Sequence, residues 1–494
     1  MMLLRIVRSR LRRFDLHTTV FVLAAIATIA LDAAPQSGSL ERIRRVEQGL
    51  IPRVVPKGDA SKTYSIEERM KYHGIPGMSM AVIDAGQVAW VKAYGVRGKG
   101  AQERVTPDTL FQAASLSKPV SALGAMLLVQ QRRLELDGDL SPYLLPWVPG
   151  EAVTLRQLLS HTAGLTVEGF SGYPPGAALP TAIQILNGQP PANNESVRVN
   201  TTPGTQVRYS GGGFVAVQHL VMGMSQLPFD EYMRMAVFSP LSMTRSSFEQ
   251  PLSRDHARTA AFGHRRDGSR LSENGMVHPE MAAAGLWTTP RDLAQMIIEL
   301  QDASAGRPPR LLEPERAREM LTGRVDNAGL GLFLTGPNGS SRRFTHSGRN
   351  AGFDAFFVAY KNGRQGAIIM INRNNNEGFI SEVLESVARE YAWPDYIPTV
   401  KQQAYEAISS SIQGSYAGSY EGADHRRITV IFEEDKLFAR ESDREWFRIY
   451  PASASEFFAT ENPGRFIFVS RPNGQVDEMI TRSDNGDEHR RRIP

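Results

Sequence analysis

Residues 113–119 read AASLSKP, and Ser115 stands three residues before Lys118 in that run. On a helix, positions i and i+3 share a face, so the hydroxyl and the amine stand together while Ser117 points elsewhere. Apolar residues recur at Val120, Leu123, Met126 and Leu127, so a helix is expected to start near Ser115. Ser115 then lies at the helix N-terminus, where free N–H groups favour negative charge. Pro119 falls within the first turn or just past it, where proline does least harm. A serine hydroxyl is a weak nucleophile and needs a base beside it. A lysine serves when its neutral form is made accessible by burial or a nearby cation. The neighbours Phe111, Ala113, Ala114, Leu116 and Pro119 carry no charge. Spacing alone leaves two readings open: a nucleophile–base pair, or a capping serine followed by a solvated lysine.

Outward from this run, Ile75–Val96 reads as a β-hairpin turning at Asp84-Ala85-Gly86. TLRQLLSHTAGL (Thr154–Leu165) reads as a short helix closed by a glycine-containing loop. Residues 166–203 are rich in Gly, Pro and Asn, the composition of a long functional or mobile loop. FDEYMRMAVFSPL reads as an amphipathic helix. At TTPRDLAQMIIELQ, Thr289 can cap a helix that opens on Pro290, with Asp292 near its positive end. FDAFFVAY and GAIIMIN read as strands joined by a turn at Asn362-Gly363, and ISEVLESVAREYAW as a last helix. Beyond about residue 400, short alternating runs separated by polar turns suggest an antiparallel sheet or small barrel. The order is that of an α+β fold, a sheet with a helical region inserted.

Several segments together resemble one family. Ser115-x-x-Lys118 resembles the S-x-x-K motif of serine β-lactamases and penicillin-binding proteins. TLRQLLSHTAGL resembles the stretch that follows it in the branch of class C β-lactamases, D-alanyl-D-alanine peptidases and esterases. TPGTQVRYSGGGF (Thr202–Phe214) is similar to that branch's Tyr-x-Asn segment, with Tyr209 in the tyrosine place. AAAGLWTTPRDLAQM and FTHSGRNAGF (Phe344–Phe353) follow in the family's order, the second holding His346-Ser347-Gly348 where the family has Lys-Thr-Gly. The resemblance covers roughly residues 65–395.

It implies a β-lactamase/transpeptidase-like fold: an antiparallel sheet flanked by helices, with a helical region. It implies that Ser115 is acylated, that Lys118 takes part in deprotonating it, and that Tyr209 works with Lys118 as base or proton shuttle. The backbone N–H groups of Ser115 and Arg349 would form the oxyanion hole. His346, Ser347, Gly348, Arg349 and Gly211 would border the substrate. His161 would be structural. Ser272-Glu273-Asn274 and Tyr360-Lys361-Asn362 match family patterns by letter only; the first lies in a polar connection and the second comes too late in the order.

Two departures bear on the substrate. Gly211 stands where the family has an asparagine that donates to the acyl-amide of its substrates, which weakens selection for amides. His346 stands for lysine, so a fixed positive charge becomes a titratable one. Efficient β-lactam hydrolysis is therefore not expected. The C-terminal segment, residues 410–494, resembles the lipocalin-like β-domain appended to some penicillin-binding-protein-related hydrolases, on Tyr416-x-Gly418-x-Tyr420 and its strand pattern. It would shape the cleft or act as a spacer. The expected division is a leader at 1–34, a hydrolase domain at 35–400 and this β-domain.

Composition bounds the remaining classes. Of 494 residues, 41% are hydrophobic and 22% charged, which is ordinary for a globular chain with a sizeable core. The net charge of +4 is small, and the basic residues are interspersed with acids, so no nucleic-acid partner is read. With no cysteine there is no disulfide, thiolate nucleophile, Cys-based metal site or lipoprotein anchor. The ten histidines show no metal-ligand spacing, and no glycine-rich phosphate loop is present, so neither metal nor cofactor is expected. Arg5, Arg8, Arg10, Arg12 and Arg13 precede the apolar run TTVFVLAAIATIAL (Thr18–Leu31) and small residues at Ala33 and Ala34. That is the plan of a secretory signal peptide and implies a periplasmic or secreted protein, with no stable membrane span after cleavage. The expected function is an exported serine hydrolase acting on small-molecule carboxylic esters. D-amino-acid peptide or amide hydrolysis, β-lactamase activity, and a penicillin-binding protein with little turnover remain the alternatives. A non-catalytic interaction protein is disfavoured by the complete Ser115, Lys118 and Tyr209 set.

Overall fold

The computed structural model describes residues 37–52, 54–57, 62–265, 268–272, 274–374, 377–396, 401–423, 427–441, 446–460, 464–483 and 486–493. The leader read at 1–34, and Glu273 of the Ser272-x-Asn274 pattern, lie outside the described residues. No helix among the described residues is long and apolar enough to cross a membrane.

The expected hairpin forms as strands β1 (Gly77–Asp84) and β2 (Gln87–Gly95). Later come β3 (Phe333–Thr335), β4 (Arg343–Asn350), β5 (Phe353–Tyr360) and β6 (Gly366–Ile371). They make one antiparallel sheet in the order β2-β1-β6-β5-β4-β3. Strand β1, buried along all but its last residue, and β6, buried throughout, lie inside the sheet, which is why both read as near-continuous apolar runs. β4 alternates between buried and more exposed residues, so one of its faces is open.

Helix α1 spans Ile66–His73 and closes on Gly74 at φ 64°, a left-handed cap that glycine adopts without strain. Helix α2 (Ser117–Gln130) is buried from Ser117 to Val129, because its sequence is apolar all round. Against it lie α3 (Gly211–Ser225) and the short α4 (Met281–Ala284). α5 (Pro290–Ser304) packs on β1 and β6 and starts as expected, with the Thr289 side chain accepting from the Asp292 N–H at 3.2 Å. The run 229–241 departs from a plain helix: Phe229–Met233 is α-helical, Arg234–Phe238 is π-helical, and Ser239–Leu241 returns to α. The 166–203 stretch is not all loop, since Ala182–Asn187 forms a capped helix within it. α6 (Glu377–Glu390) forms where a last helix was expected, and a short helix at Ser410–Ser415 follows it.

Eight further strands form a closed antiparallel barrel: β7 (Gly418–Gly422), β8 (Arg427–Glu433), β9 (Lys436–Glu441), β10 (Phe447–Pro451), β11 (Glu456–Ala459), β12 (Arg465–Ser470), β13 (Val476–Ser483) and β14 (Gly486–Ile493). β14 closes it by pairing with β7, so no strand edge is left open. Tyr420, Leu437, Ile449, Phe457, Phe466, Phe468 and Met479 fill a common apolar core. Tyr72, from α1, packs against that core and meets Phe447 edge-on, ring centroids 6.1 Å apart. Three residues before it, the Arg69 guanidinium grips the Glu382 carboxylate of α6 through two bonds of 2.7 Å, with both side chains buried.

Candidate active site

Ser115 lies in a 3-10 turn, Ala114–Leu116, which leads into α2. The turn is entered through Ala114 at φ 49°, a left-handed conformation that costs an L-residue about 1 kcal/mol or more. Strain of this kind persists where surrounding packing over-determines it. Lys118 falls in the first turn of α2 and is 2% exposed. Its Nζ donates to Ser115 Oγ at 3.0 Å and to the Ala283 carbonyl of α4 at 2.8 Å. Ser117 points the other way: its hydroxyl donates to the Ala114 carbonyl at 2.6 Å and accepts from the Leu286 N–H at 3.0 Å. The middle serine is thus a structural stitch.

Tyr209 stands just before α3. The N-cap of that helix, Ser210, accepts from the Gly213 N–H at 3.1 Å and donates to the Thr166 carbonyl at 2.8 Å. Lys118 Nζ lies 4.9 Å from the centre of the Tyr209 ring. His161 stacks on the Tyr209 ring, with centroids 4.2 Å apart and an interplanar angle of 29°. This histidine adopts φ 57°, a second left-handed residue at the site. Its Nδ1 accepts from the Ser210 N–H at 3.1 Å. Burial, then the positive charge of Lys118, push its pKa well below the usual histidine value. Its observed contacts are those of a support for Tyr209.

Strand β4 supplies the remaining wall. His346 is 3% exposed, and its Nδ1 lies 2.6 Å from the Ser347 carbonyl oxygen. Burial first, and the positive charge of Lys118 second, pull its pKa down to about 3 against that hydrogen bond. The imidazole is therefore neutral at physiological pH, and no charge titrates there near neutrality. Gly348 has a steric reason. A Cβ there would collide with the Ala113 carbonyl oxygen and come 3.1 Å from Ser115 N. Only a residue without a side chain lets β4 lie this close to the turn that holds Ser115. Gly348→Ala should therefore move the serine off its position and lower kcat by roughly 100-fold. Steady-state kinetics on a folded variant checks this; a kcat within threefold of wild type would refute it.

Ser115, Tyr209, His346, Ser347, Gly348 and Arg349 line one cavity of about 820 Å³. Arg349 reaches the buried Asp354 carboxylate at 3.2 Å. The far wall was not visible in the motifs: Phe333, Phe356, Ile380, Leu384 and Tyr396 supply an apolar surface, and Glu168 sits at the rim. The only sequence signal for it was the spacing of Ile380 and Leu384, which sets both on one face of α6. Gly211 is not on the cavity wall. It opens α3, where a Cβ would meet the Glu168 carbonyl at 2.9 Å and the Phe170 ring at 3.0 Å. Tyr360 is buried elsewhere, donating to the Pro394 carbonyl at 2.7 Å, and Asn274 lies against the carbonyls of Ala257 and Ala260. Among the described residues, no group of three or more His, Cys, Asp or Glu is placed to hold a metal ion.

Comparison with known proteins bears on the family and the fold. Residues 65–388 match the family model described as Beta-lactamase. Penicillin-binding protein 4* of Bacillus subtilis (strain 168) is 22% identical over 423 residues, covering 80% of this chain and 89% of that protein. Protein flp of Staphylococcus aureus (strain N315) is 22% identical over 336 residues, covering 63% of this chain and 62% of its own length. Among solved structures, the octameric penicillin-binding protein homologue from Pyrococcus abyssi superposes with a TM-score of 0.53 at 19% identity, over 86% of this chain and 98% of that one. SurE solved with D-Leu gives a TM-score of 0.54 at 21% identity, over 87% and 97%. The β-lactamase/D-alanine carboxypeptidase from Pseudomonas syringae gives 0.54 at 18%, over 66% and 97%. With the sheet, the helical region and the matched segment spanning 65–388, the chain belongs to the Beta-lactamase family of serine hydrolases and penicillin-binding proteins.

Proposed function

We propose that this protein is an exported serine hydrolase that cleaves small-molecule carboxylic esters through an acyl-enzyme at Ser115. The observation that carries the chemistry is the 3.0 Å contact between Lys118 Nζ and Ser115 Oγ at the base of a cavity. Ser115 Oγ attacks the ester carbonyl as its proton passes to the Lys118–Tyr209 side. The Ser115 and Arg349 N–H groups receive the oxyanion. The alkoxide leaves with a proton from the same side, and water then releases the acid by the reverse sequence.

Two features favour esters over peptides. The third-motif residue is a neutral imidazole rather than a cation, so it offers no charge to a terminal carboxylate. Phe333, Phe356, Ile380 and Leu384 suit an uncharged, apolar acyl or alcohol part. D-amino-acid peptide hydrolysis is the second reading, favoured by the likeness to SurE solved with D-Leu and to a D-alanine carboxypeptidase. The apolar run after the basic N-terminus supports export.

A fluorophosphonate probe tests the nucleophile. A phosphorus–oxygen bond forms at Ser115 Oγ, and fluoride leaves while the hydroxyl proton is taken up by the base. Intact-mass spectrometry should show one adduct on wild type, mapped to Ser115 by peptide analysis, and none on Ser115→Ala. Hydrolysis of p-nitrophenyl butyrate should disappear in the same variant. Labelling at another serine, or unchanged turnover by Ser115→Ala, would sink the assignment.

A further inference from the structure

Two imidazoles flank the Tyr209 ring, and their partners fix their protons in opposite senses. His161 Nδ1 accepts the Ser210 N–H, so its own proton sits on Nε2. His346 Nδ1 faces the Ser347 carbonyl, which can only accept, so its proton sits on Nδ1 and Nε2 carries a lone pair. Both Nε2 atoms are buried and have no hydrogen-bond partner among the described residues. Of the two rings, His346 is the one on the cavity wall. A buried lone pair left unpaired is costly, and such a cost is tolerated where a ligand supplies the donor.

Its place in the cavity says which part of a ligand would do so. The leaving group takes its proton back from the Lys118–Tyr209 side, and the His346 ring is on that side, with centroids 6.2 Å from Tyr209. The charges nearby do not favour an anion. Arg349 is engaged by Asp354, and Glu168 adds a second carboxylate to the wall.

Resting on the proposed Ser115 acyl-enzyme, we infer that His346 Nε2 accepts a hydrogen bond from the substrate's leaving group. The site then selects acyl compounds whose leaving group carries a hydroxyl, amide or ammonium donor, and it disfavours leaving groups that carry a carboxylate. The substitution of histidine for lysine thereby inverts what this position reads. A lysine would offer donors and a positive charge; this imidazole offers a lone pair.

Four thioesters of one acyl group test this, with mercaptoethanol, N-acetylcysteamine, ethanethiol and thioglycolate as leaving groups. In each, the acyl–sulfur bond breaks, the bond to Ser115 Oγ forms, and the thiol leaves with a proton. The released thiol is read with a disulfide dye, to which the protein contributes nothing because it has no cysteine. In wild type, kcat/KM for the mercaptoethanol and N-acetylcysteamine thioesters, each divided by that thioester's rate of hydrolysis by hydroxide, should exceed the value for ethanethiol by about tenfold, the effect of one good hydrogen bond. Thioglycolate should fall below ethanethiol. His346→Phe should erase the donor preference, and His346→Lys should raise thioglycolate above N-acetylcysteamine. The wild-type ranking alone decides the matter if either variant fails to fold. A wild-type enzyme that treats all four alike, or prefers thioglycolate, overturns the inference. So does turnover of none of the four while Ser115 is still labelled by the fluorophosphonate. Loss of both turnover and labelling would instead overturn the hydrolase reading beneath it.

Discussion

Ser115→Ala, Lys118→Ala and the double variant should be almost equally inactive, each with kcat lowered by about 10⁴-fold or more. The reason is geometric. Lys118 Nζ makes its bonds to Ser115 Oγ and to the Ala283 carbonyl, so its side chain is committed to this site. Without the lysine the hydroxyl keeps its proton; without the hydroxyl the lysine has nothing to activate. Residues that act as one unit do not contribute additively. Residual turnover in all three would come from the cavity and the backbone N–H groups. Kinetics on the three variants with one ester substrate checks this. A double variant whose defect equalled the product of the two single defects would show that Ser115 and Lys118 act independently. A Lys118→Ala protein within tenfold of wild type would move the base elsewhere.

Glu280→Gln should stabilise the fold by about 3 kcal/mol at pH 8 and by almost nothing at pH 4.5, relative to wild type. Glu280 precedes α4 and is fully buried, and neither carboxyl oxygen has a hydrogen-bond partner among the described residues. Burial raises its pKa from 4.5 to about 7. A raised carboxyl holds its proton more tightly in the folded state than in the unfolded one. Its favourable contribution is complete below pH 4.5, is lost as the pH rises towards 7, and stays lost above. Glutamine matches the protonated form in shape and never ionises, so the variant escapes that loss. His278, whose Nδ1 lies 3.8 Å from the carboxyl, is pulled by burial from 6.5 down to about 4. It has the opposite slope, losing stability as the pH falls from 6.5 towards 4. The two slopes offset each other in wild type, so the difference between the two proteins is the quantity to read. Denaturant unfolding at pH 4.5 and pH 8 supplies it. An equal difference at both values would mean that Glu280 does not hold its proton.

The sequence was most readable where backbone and side chain obey the same local rule. The hairpin at 77–95, the Thr289 cap and the α2 run follow from periodicity and turn chemistry. Ser115, Lys118, Tyr209 and the β4 residues could be picked out because they recur in a fixed order along the chain. What stayed hidden depends on contacts far apart in sequence. The neutrality of His346 follows from burial and from Lys118, 228 positions earlier, neither of which its own segment reveals. Gly211 was read as bordering the substrate from its motif place; it stands beside Glu168, a residue of the cavity wall, without lining the cavity itself. Ile380 and Leu384 carry no chemical signature, and their presence on the wall comes only from how α6 docks. The π-helical turn at Arg234–Phe238 has no local signal in an otherwise helical pattern.

The grip of Arg69 on Glu382 joins two ends of the chain that share no motif. α6 presents Ile380 and Leu384 to the cavity and, from the same helix, Glu382 to α1. α1 then lays Tyr72 on the barrel core. One aromatic edge and one buried ion pair thus connect the barrel core to the helix that carries two residues of the cavity wall, and Arg465 of the barrel adds a bond to Gln403 outside it. Removing about eighty residues from the end would leave Tyr72 without the core it rests on while Ser115 and Lys118 keep their own contacts, so a shortened protein should differ first at α1 and α6 and not at the nucleophile.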